Sequence, residues 1–254
     1  MAKIRLYQFP VSHYCEKSRW ALDFKGVPFE IVNLLPGFHL LKTRRMAPRT
    51  SVPILDYEGK ILQDSTNILE FLETTYPSPP LFPDTAADRA EALEWEEYCD
   101  EEVGKHLRRF MYHHLLDEPK LMPRLLVEQS PWYERYAFGL AYPGVKRLMR
   151  KAMRIYPPQV EKSRVQLNAA LEKLDTRLKK RDFLVGKHFS RADLSAASLL
   201  APLFTPPEHE FPWPKNEELP IPLQEFQARW EDSHVEKWVR RLYRDYRKKG
   251  LNHG

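Results

Sequence analysis

The chain contains only two cysteines, Cys15 and Cys99, and they lie too far apart to form a paired metal-ligand motif. We therefore expect no metal site, and the scarcity of cysteine fits a reducing compartment. No apolar run approaches the roughly 18 residues that a membrane-spanning helix needs. The N-terminus also lacks the long apolar stretch of a secretory signal. These absences predict a cytoplasmic protein.

A nucleic-acid recognition motif is also absent. The 40 lysines and arginines exceed the 35 acidic residues by enough to give a net charge of +5. This mild basic excess is typical of a protein with a basic tail, so we expect no nucleic-acid partner. With 254 residues, of which 43% are hydrophobic, the chain can form one large domain or two smaller ones with a substantial core.

The first 76 residues alternate between strand and helix patterns. The spacing predicts the order β-α-β-α-β-β-α, with a helix joining the first two strands. Those two strands should therefore be parallel and connected by a right-handed crossover. Strands are predicted at 4–9, 29–33, 53–57 and 60–62, and helices at 15–25, 40–46 and 64–76.

A proline-rich segment at 77–84 has linker composition, and the pattern after it is helical almost throughout. We predict an α/β domain at 1–76 and an all-helical domain at 85–254, joined by this linker. Within the second domain, helices are predicted at 85–116, 159–181, 194–203 and 233–249. The segments 118–158 and 205–222 are interrupted by prolines and less regular.

The most informative motif is Thr50-Ser51-Val52-Pro53-Ile54-Leu55, followed by Gln63-Asp64-Ser65 at the start of a helix. Pro53 lacks an N–H and can open an edge strand, which leaves the Val52 backbone free to pair with a ligand. A helix start that carries Asp64 and Ser65 offers free amides, a hydroxyl and a carboxylate at one point. Such a set suits the zwitterionic end of a peptide.

A second motif, Ser190-Arg191-Ala192-Asp193, precedes an apolar helix. Its spacing matches a capping box, in which Ser190 and Asp193 satisfy each other's backbone amides. We favour this structural role for Asp193 over a catalytic one.

Taken together, these motifs resemble those of the soluble glutathione S-transferases. The resemblance covers nearly the whole chain and implies a thioredoxin-like N-terminal domain followed by an all-helical domain that contributes the electrophile site. It implies glutathione as co-substrate, a small electrophile as its partner, and a homodimer. Val52 and Pro53 would pair with the cysteinyl part of glutathione, and Gln63, Asp64 and Ser65 would hold the γ-glutamyl end.

The reactive group of this family lies in the turn after the first strand. The related redox motif C-x-x-C is here Ser12-His13-Tyr14-Cys15, so Ser12 is predicted to donate a hydrogen bond to the glutathione sulfur. The simple alternative is that Ser12 only caps the helix. Cys15 is an alternative catalytic residue. We discount Tyr7, because a one-residue shift in a strand reverses the side-chain face.

The family often places a longer side chain where this sequence has Ser51. The glycyl carboxylate could therefore be bound by Ser51, Arg49 or His39. Lys42, Arg44 and Arg45 lie in the same segment and remain open alternatives.

The electrophile is expected between the domains, beside His13 and Tyr14. Helical spacing makes Tyr98, His106, Arg109 and Phe110 further candidates, each with core packing as the alternative. The aromatic and basic segment 119–158 could form a helical lid, a peripheral membrane contact or extra packing, and we favour packing.

The leading hypothesis is a glutathione transferase that attacks a small apolar electrophile. Alternatives are a non-catalytic glutathione-binding or protein-interaction module, and a glutathione-dependent reductase or isomerase that uses Cys15 or Ser12.

Overall fold

The computed structural model of the protein describes residues 4–247. The N-terminal part comprises β1 (Ile4–Gln8), α1 (His13–Phe24), β2 (Glu30–Asn33), α2 (His39–Met46), β3 (Ile54–Tyr57), β4 (Lys60–Gln63) and α3 (Ser65–Thr75). The sheet order is β2-β1-β3-β4, with β1 and β2 parallel and the other pairs antiparallel. The predicted element order and the parallel first pair are therefore confirmed.

The remaining described elements are helical. They are α4 (Ala86–Tyr98), a π-helix (Cys99–Gly104), α5 (Lys105–Leu115), α6 (Leu121–Val127), α7 (Trp132–Ala152), α8 (Pro157–Leu178), α9 (Arg191–Phe204), a short 3₁₀ turn (Asn216–Glu218), α10 (Ile221–Arg229) and α11 (His234–Tyr246). The predicted fold class, a thioredoxin-like domain followed by an all-helical one, is confirmed.

The two parts of the chain share one core, centred on the packing of α1 against α9. Trp20 of α1 is fully buried between Phe189 and Tyr243, at ring-centroid distances of 5.7 and 4.5 Å. Every residue of α9 is buried. The N-terminal fold therefore rests on the helical region over the whole length of α1.

The start of α9 contains the predicted capping box. The Asp193 carboxylate accepts hydrogen bonds from the Ser190 amide at 2.9 Å and from the Leu184 amide at 2.7 Å. Burial raises the pKa of Asp193 to about 7, although these hydrogen bonds oppose the shift. The role of this carboxylate is therefore to tie the preceding loop to the buried helix end.

Four helical features differ from the sequence prediction. A π-helix interrupts the long helix predicted at 85–116, and α7 runs for 21 residues through Pro143 in a segment predicted to be irregular. Helix α10 was not predicted, because Pro220 and Pro222 suggested a loop, whereas proline fits the first turn of a helix. The terminal helix ends at Tyr246, and the predicted end at 248–249 lies outside the described residues.

The segment 119–158 packs against the N-terminal part of the chain. Val145 of α7 lies so close to Gly37 that a Cβ there would be 2.9 Å from a Val145 methyl carbon. Asn33 at the end of β2 donates to Gln129 at 3.2 Å. The aromatics Trp132 and Tyr136 remain exposed on the outer face of α7. No helix in the described part of the chain is both long and apolar enough to cross a membrane.

Candidate active site

A polar groove lies where the loop before β3 meets the start of α3. The Val52–Pro53 peptide is cis, and between residues 4 and 247 we find no hydrogen-bond partner for the Val52 backbone. A ligand backbone can therefore pair with Val52 without displacing another group.

Asp64 and Ser65 form the other wall of the groove. Asp64 caps α3 by accepting from the Thr66 amide at 3.0 Å, and its backbone has a φ of +90°. A non-glycine residue in this region is strained, and such residues cluster at binding sites. The adjacent helix start presents amides toward an anion, as the family resemblance requires for a γ-glutamyl carboxylate.

Gln63 does not contribute a free side chain to this groove. Its Nε2 donates to the Arg49 carbonyl at 2.7 Å and to the Ser51 carbonyl at 2.8 Å, and its Oε1 accepts from the Arg49 amide at 3.0 Å. A direct contact from Gln63 to glutathione stays a prediction, and the bonds seen here give its side chain a structural role. The Gln63 amide holds the loop that carries Val52.

The candidates for binding the glycyl carboxylate fall into two groups: residues that border the groove and residues whose side chains lie elsewhere. Arg49 and Ser51 border the groove. The Nδ1 atom of His39 accepts from the Gly37 amide at 3.0 Å, and its ring packs edge-on against Phe9. Lys42 instead lies over the ring of Tyr7. Of these residues, only Arg49 has both a positive charge and a place beside the groove.

Beneath the groove, the α3 start is tied to the π-helix by a buried charge network. The Lys17 ammonium contacts Asp100 at 2.7 Å, Glu96 at 2.8 Å and the Thr66 hydroxyl at 3.1 Å. Burial raises the pKa of Asp100, although the charge of Lys17 opposes the shift. Burial also acts to raise the pKa of Glu96, but Lys17 and Arg191 outweigh it and hold that pKa below its ordinary value.

Ser12 lies at the start of α1 and lines a second, mostly apolar cavity next to the groove. Its Oγ accepts from the Cys15 amide at 3.4 Å, so Ser12 does cap the helix. A hydroxyl has one donor and two acceptor positions, so capping leaves its proton available for a sulfur anion. The capping role and the predicted catalytic role are therefore compatible.

Cys15 lies one turn into α1 and is fully buried. Burial raises the pKa of its thiol, although hydrogen bonding by Ser12 and the charge of Arg19 oppose the shift. Because the thiolate is the reactive form, this environment favours an inert, packed cysteine.

The apolar cavity is built from four segments that are distant in sequence: the 11–13 turn, α5, α6 and the 202–219 region. Helix α5 contributes Arg108, Met111, Tyr112 and Leu115, which share the i, i+3, i+4, i+7 spacing of one helix face. Met122 and Leu125 from α6 close one side. This places the start of the 119–158 segment over an apolar cavity, while α7 lies outside its lining.

Four predicted electrophile-site residues lie elsewhere. The ring of Tyr98 packs under Lys173 of α8, 3.7 Å from its ammonium. His106 and Arg109 both bond to the Ser163 hydroxyl of α8, at 2.9 and 2.8 Å. Phe110 packs against Phe226 of α10. These side chains lie on helix faces that pack on neighbouring helices and are outside the cavity lining, so their contact with an electrophile stays a prediction.

Of the two remaining candidates, His13 lines the apolar cavity and Tyr14 lines the groove. Burial, together with the charge of Arg108, lowers the pKa of His13 to about 3, so its ring is neutral at physiological pH. The Tyr14 hydroxyl donates to the Asp100 carbonyl at 2.8 Å. Arg108, which the sequence analysis missed, borders both the groove and the cavity. The i, i+3, i+7 spacing of Arg108, Met111 and Leu115 could have placed Arg108 on the same helix face as these two apolar residues.

Comparison with known proteins identifies the family. Residues 6–80 match the N-terminal domain of glutathione S-transferases, and residues 157–241 match their C-terminal domain. The chain belongs to the glutathione S-transferase family. The segment between the two matches contains α4 to α7, and its helices α5 and α6 carry Arg108 and five other residues of the cavity lining.

Individual relatives support the same assignment. The chain is 35% identical over 106 residues to glutathione S-transferase U4 of Arabidopsis thaliana, a match covering 40% of this chain and 46% of the relative. It is 38% identical over 89 residues to a maleylpyruvate isomerase of Ralstonia, covering 34% and 42%. The chain thus spans about half the length of these curated relatives.

A solved beta-etherase from Sphingobium superposes with a TM-score of 0.62 at 21% identity, covering 94% of this chain and 99% of that protein. Glutathione S-transferase III in its apo form has a TM-score of 0.60 at 20% identity, covering 95% and 91%. At such identities the likeness shows the shared fold. No group of three or more His, Cys, Asp or Glu side chains that could hold a metal occurs within residues 4–247.

Proposed function

We propose that the protein is a glutathione transferase in which Ser12 stabilises the glutathione thiolate for attack on a small apolar electrophile. The observation that carries this proposal is the position of the 11–14 turn. Ser12 and His13 line the apolar cavity, and Tyr14 lines the adjacent polar groove. A tripeptide in the groove can therefore present its sulfur beside the Ser12 hydroxyl.

In this mechanism the Val52 backbone pairs with the cysteinyl residue, and the α3 start holds the γ-glutamyl end through Asp64 and Ser65. Arg49 is the candidate for the glycyl carboxylate. The thiol proton leaves to solvent, and the thiolate accepts a hydrogen bond from Ser12, aided by the positive end of α1. The sulfur then bonds to the electrophilic carbon, and the leaving group departs with its electron pair.

The test is retention on glutathione resin combined with conjugation of chlorodinitrobenzene. Ser12→Ala should keep its retention but lose roughly 10²-fold in kcat, as expected for removal of one donor to a developing anion. Ser233→Ala is the matched control, because Ser233 also caps a helix, accepting from the Glu236 amide at 3.2 Å, but lies outside the groove and cavity lining. Each loss of a cap should cost about 1 kcal/mol of stability.

Asp64→Ala tests the binding site separately from the chemistry. It should weaken retention on the resin, because the candidate partner of the glutathione ammonium is removed. Unchanged retention would refute the assignment of the γ-glutamyl site. Full activity in Ser12→Ala would refute the catalytic role of Ser12.

A glutathione-dependent isomerase is the second candidate, supported by the match to a protein named maleylpyruvate isomerase. The reductase alternative through Cys15 is disfavoured by the burial of that thiol. A non-catalytic module would bind the resin without turning over any member of a broad electrophile panel.

We also propose, from the family, a homodimer in the cytoplasm. A domain division at 77–84 is supported by the end of α3 at Thr75 and the start of α4 at Ala86.

A further inference from the structure

Arg108 stands out because no carboxylate of residues 4–247 lies within ion-pair distance of its guanidinium. Its side chain makes no hydrogen bond or ion pair with any residue in the described range 4–247. It is half-buried and borders both the polar groove and the apolar cavity. A guanidinium carries five donors in a rigid fork, so an unpaired one at a binding site favours a planar anion.

The position of Arg108 is set by Tyr14. The guanidinium carbon lies 5.6 Å from the centre of the Tyr14 ring, within the range of a cation–π contact. The Tyr14 hydroxyl is held by the Asp100 carbonyl, so this ring is a fixed platform. Arg108 is thereby held at the border of the two sites while its donors remain unused.

Four acidic residues line the neighbouring groove (Asp64, Glu97, Asp100 and Glu101), and within residues 4–247 none of them forms an ion pair with Arg108. Asp100 is engaged with Lys17 and Thr66, and Glu101 pairs with Lys105 at 2.8 Å. Asp64 caps α3. The cavity lining contains no acidic side chain within the described part of the chain.

The rest of the cavity lining is mostly apolar, with hydroxyls from Ser12, Tyr112 and Thr205. Trp213 also lines the cavity, and its indole N–H is buried without a hydrogen-bond partner among the described residues. Leaving a buried donor without an acceptor costs about 1–3 kcal/mol. His13 of the lining is neutral, and burial raises the pKa of Tyr112, so neither residue adds a charge at physiological pH.

We propose that Arg108 is a specificity-determining residue and that the acceptor substrate is an apolar or aromatic molecule bearing an anionic group such as a carboxylate. This inference rests on the proposed function, because it assigns the second substrate of that site. The apolar walls bind the body of the acceptor, and Arg108 binds its charge at the end nearest the glutathione groove.

The test compares two inert ligands, 3,5-dinitrobenzoate and its methyl ester, which differ by the negative charge and one methyl group. Neither has a leaving group, so calorimetry measures binding without turnover, with and without S-methylglutathione. The wild type should bind the acid about tenfold or more tightly than the ester, in line with a charge-assisted hydrogen bond. Arg108→Met should abolish this preference and leave ester binding within about twofold.

Two further variants test whether the preference depends on the guanidinium and on its position. Arg108→Lys keeps the charge but not the fork, so it should retain part of the preference. Arg147→Met is the matched control: Arg147 is exposed on α7, likewise has no partner among residues 4–247, and lies outside both linings, so its preference should equal that of the wild type.

The proposal is overturned if the wild type binds the ester as tightly as the acid, or if Arg108→Met weakens both equally. It is also overturned if that variant weakens S-methylglutathione instead, because Arg108 would then serve the groove. Failure of the wild type to bind S-methylglutathione would refute the proposed function. The comparison of acid and ester in the absence of S-methylglutathione would still decide the role of Arg108.

Discussion

Replacement of Lys17 should be strongly destabilising, because its ammonium is fully buried and pairs with two carboxylates. Lys17→Met keeps most of the aliphatic stem but removes the charge that faces Asp100 and Glu96. Removing one partner of a buried ion pair costs about 3–5 kcal/mol. Arg191 still pairs with Glu96, so Asp100 carries most of the uncompensated charge and we expect about 3 kcal/mol. For a chain of this size, that corresponds to roughly 6–12 °C in Tm.

The same reasoning also predicts how the stability deficit of Lys17→Met changes with pH. In the variant, burial still raises the pKa of Asp100, and the opposing charge of Lys17 is gone. The folded state then holds a proton more tightly than the unfolded state, where an Asp titrates near 4. Below the unfolded pKa both states are protonated and the penalty vanishes; it develops as pH rises from about 4 toward the raised folded pKa. The stability deficit of Lys17→Met should therefore be smaller at pH 5 than at pH 7.

Urea unfolding followed by tryptophan fluorescence at both pH values measures the deficit. Lys237→Met is the control, because Lys237 pairs with Asp232 at the surface and its loss should cost at most about 1 kcal/mol. A deficit below about 1 kcal/mol in Lys17→Met, or one that grows at pH 5, would refute the reasoning. Because Lys17 also holds Thr66 beside the groove, the variant should additionally raise the KM for glutathione.

Three other measurements test buried groups. A thiol-specific reagent should label Cys15 only on unfolding, because burial raises its pKa; rapid labelling of the native protein would contradict the packed assignment. Asp193→Ala should cost about 2–5 kcal/mol, since the Ser190 and Leu184 amides lose their acceptor; urea unfolding that gave less than 1 kcal/mol would show that water replaces it. Burial lowers the pKa of His209 to about 4, although Glu16 opposes the shift, so this group should contribute a loss of stability as pH falls from about 6.5 to 4. His209→Gln should flatten that part of the urea-derived stability profile, and an unchanged slope would exclude the group.

The sequence predicts the N-terminal fold well because its signals are local. Short apolar runs mark β1 and β3, and the Asp64–Ser65 cap marks the start of α3. The same holds for α9, where the Ser190–Asp193 box sits next to an apolar helix. The π-helix at Cys99–Gly104 has no such signal, since its extra residue is accommodated by contacts with Lys17 and Tyr14 that come from 80 or more residues away.

The polar groove was also largely predictable, because its residues belong to two short motifs. Val52, Asp64 and Ser65 all line it. The motif did not predict the partners of Gln63, because its side-chain amide donates to carbonyls of the 49–51 loop on the other side of the hairpin. Which acceptor a glutamine finds depends on the tertiary position of that loop.

The acceptor cavity was the least predictable part, for a geometrical reason. Helical periodicity groups residues by face, and it correctly separates Arg108 and Leu115 from His106 and Arg109. It does not say which face points toward the other domain, because that depends on where α8 packs, about 50 residues later in the chain. His106 and Arg109 carry groups that could act on a substrate, but both side chains are hydrogen-bonded to the Ser163 hydroxyl of α8. On the other face, Arg108 has no hydrogen-bond or ion-pair partner within residues 4–247, and such a cation is a stronger indication of a ligand than a residue type whose bonds are already made.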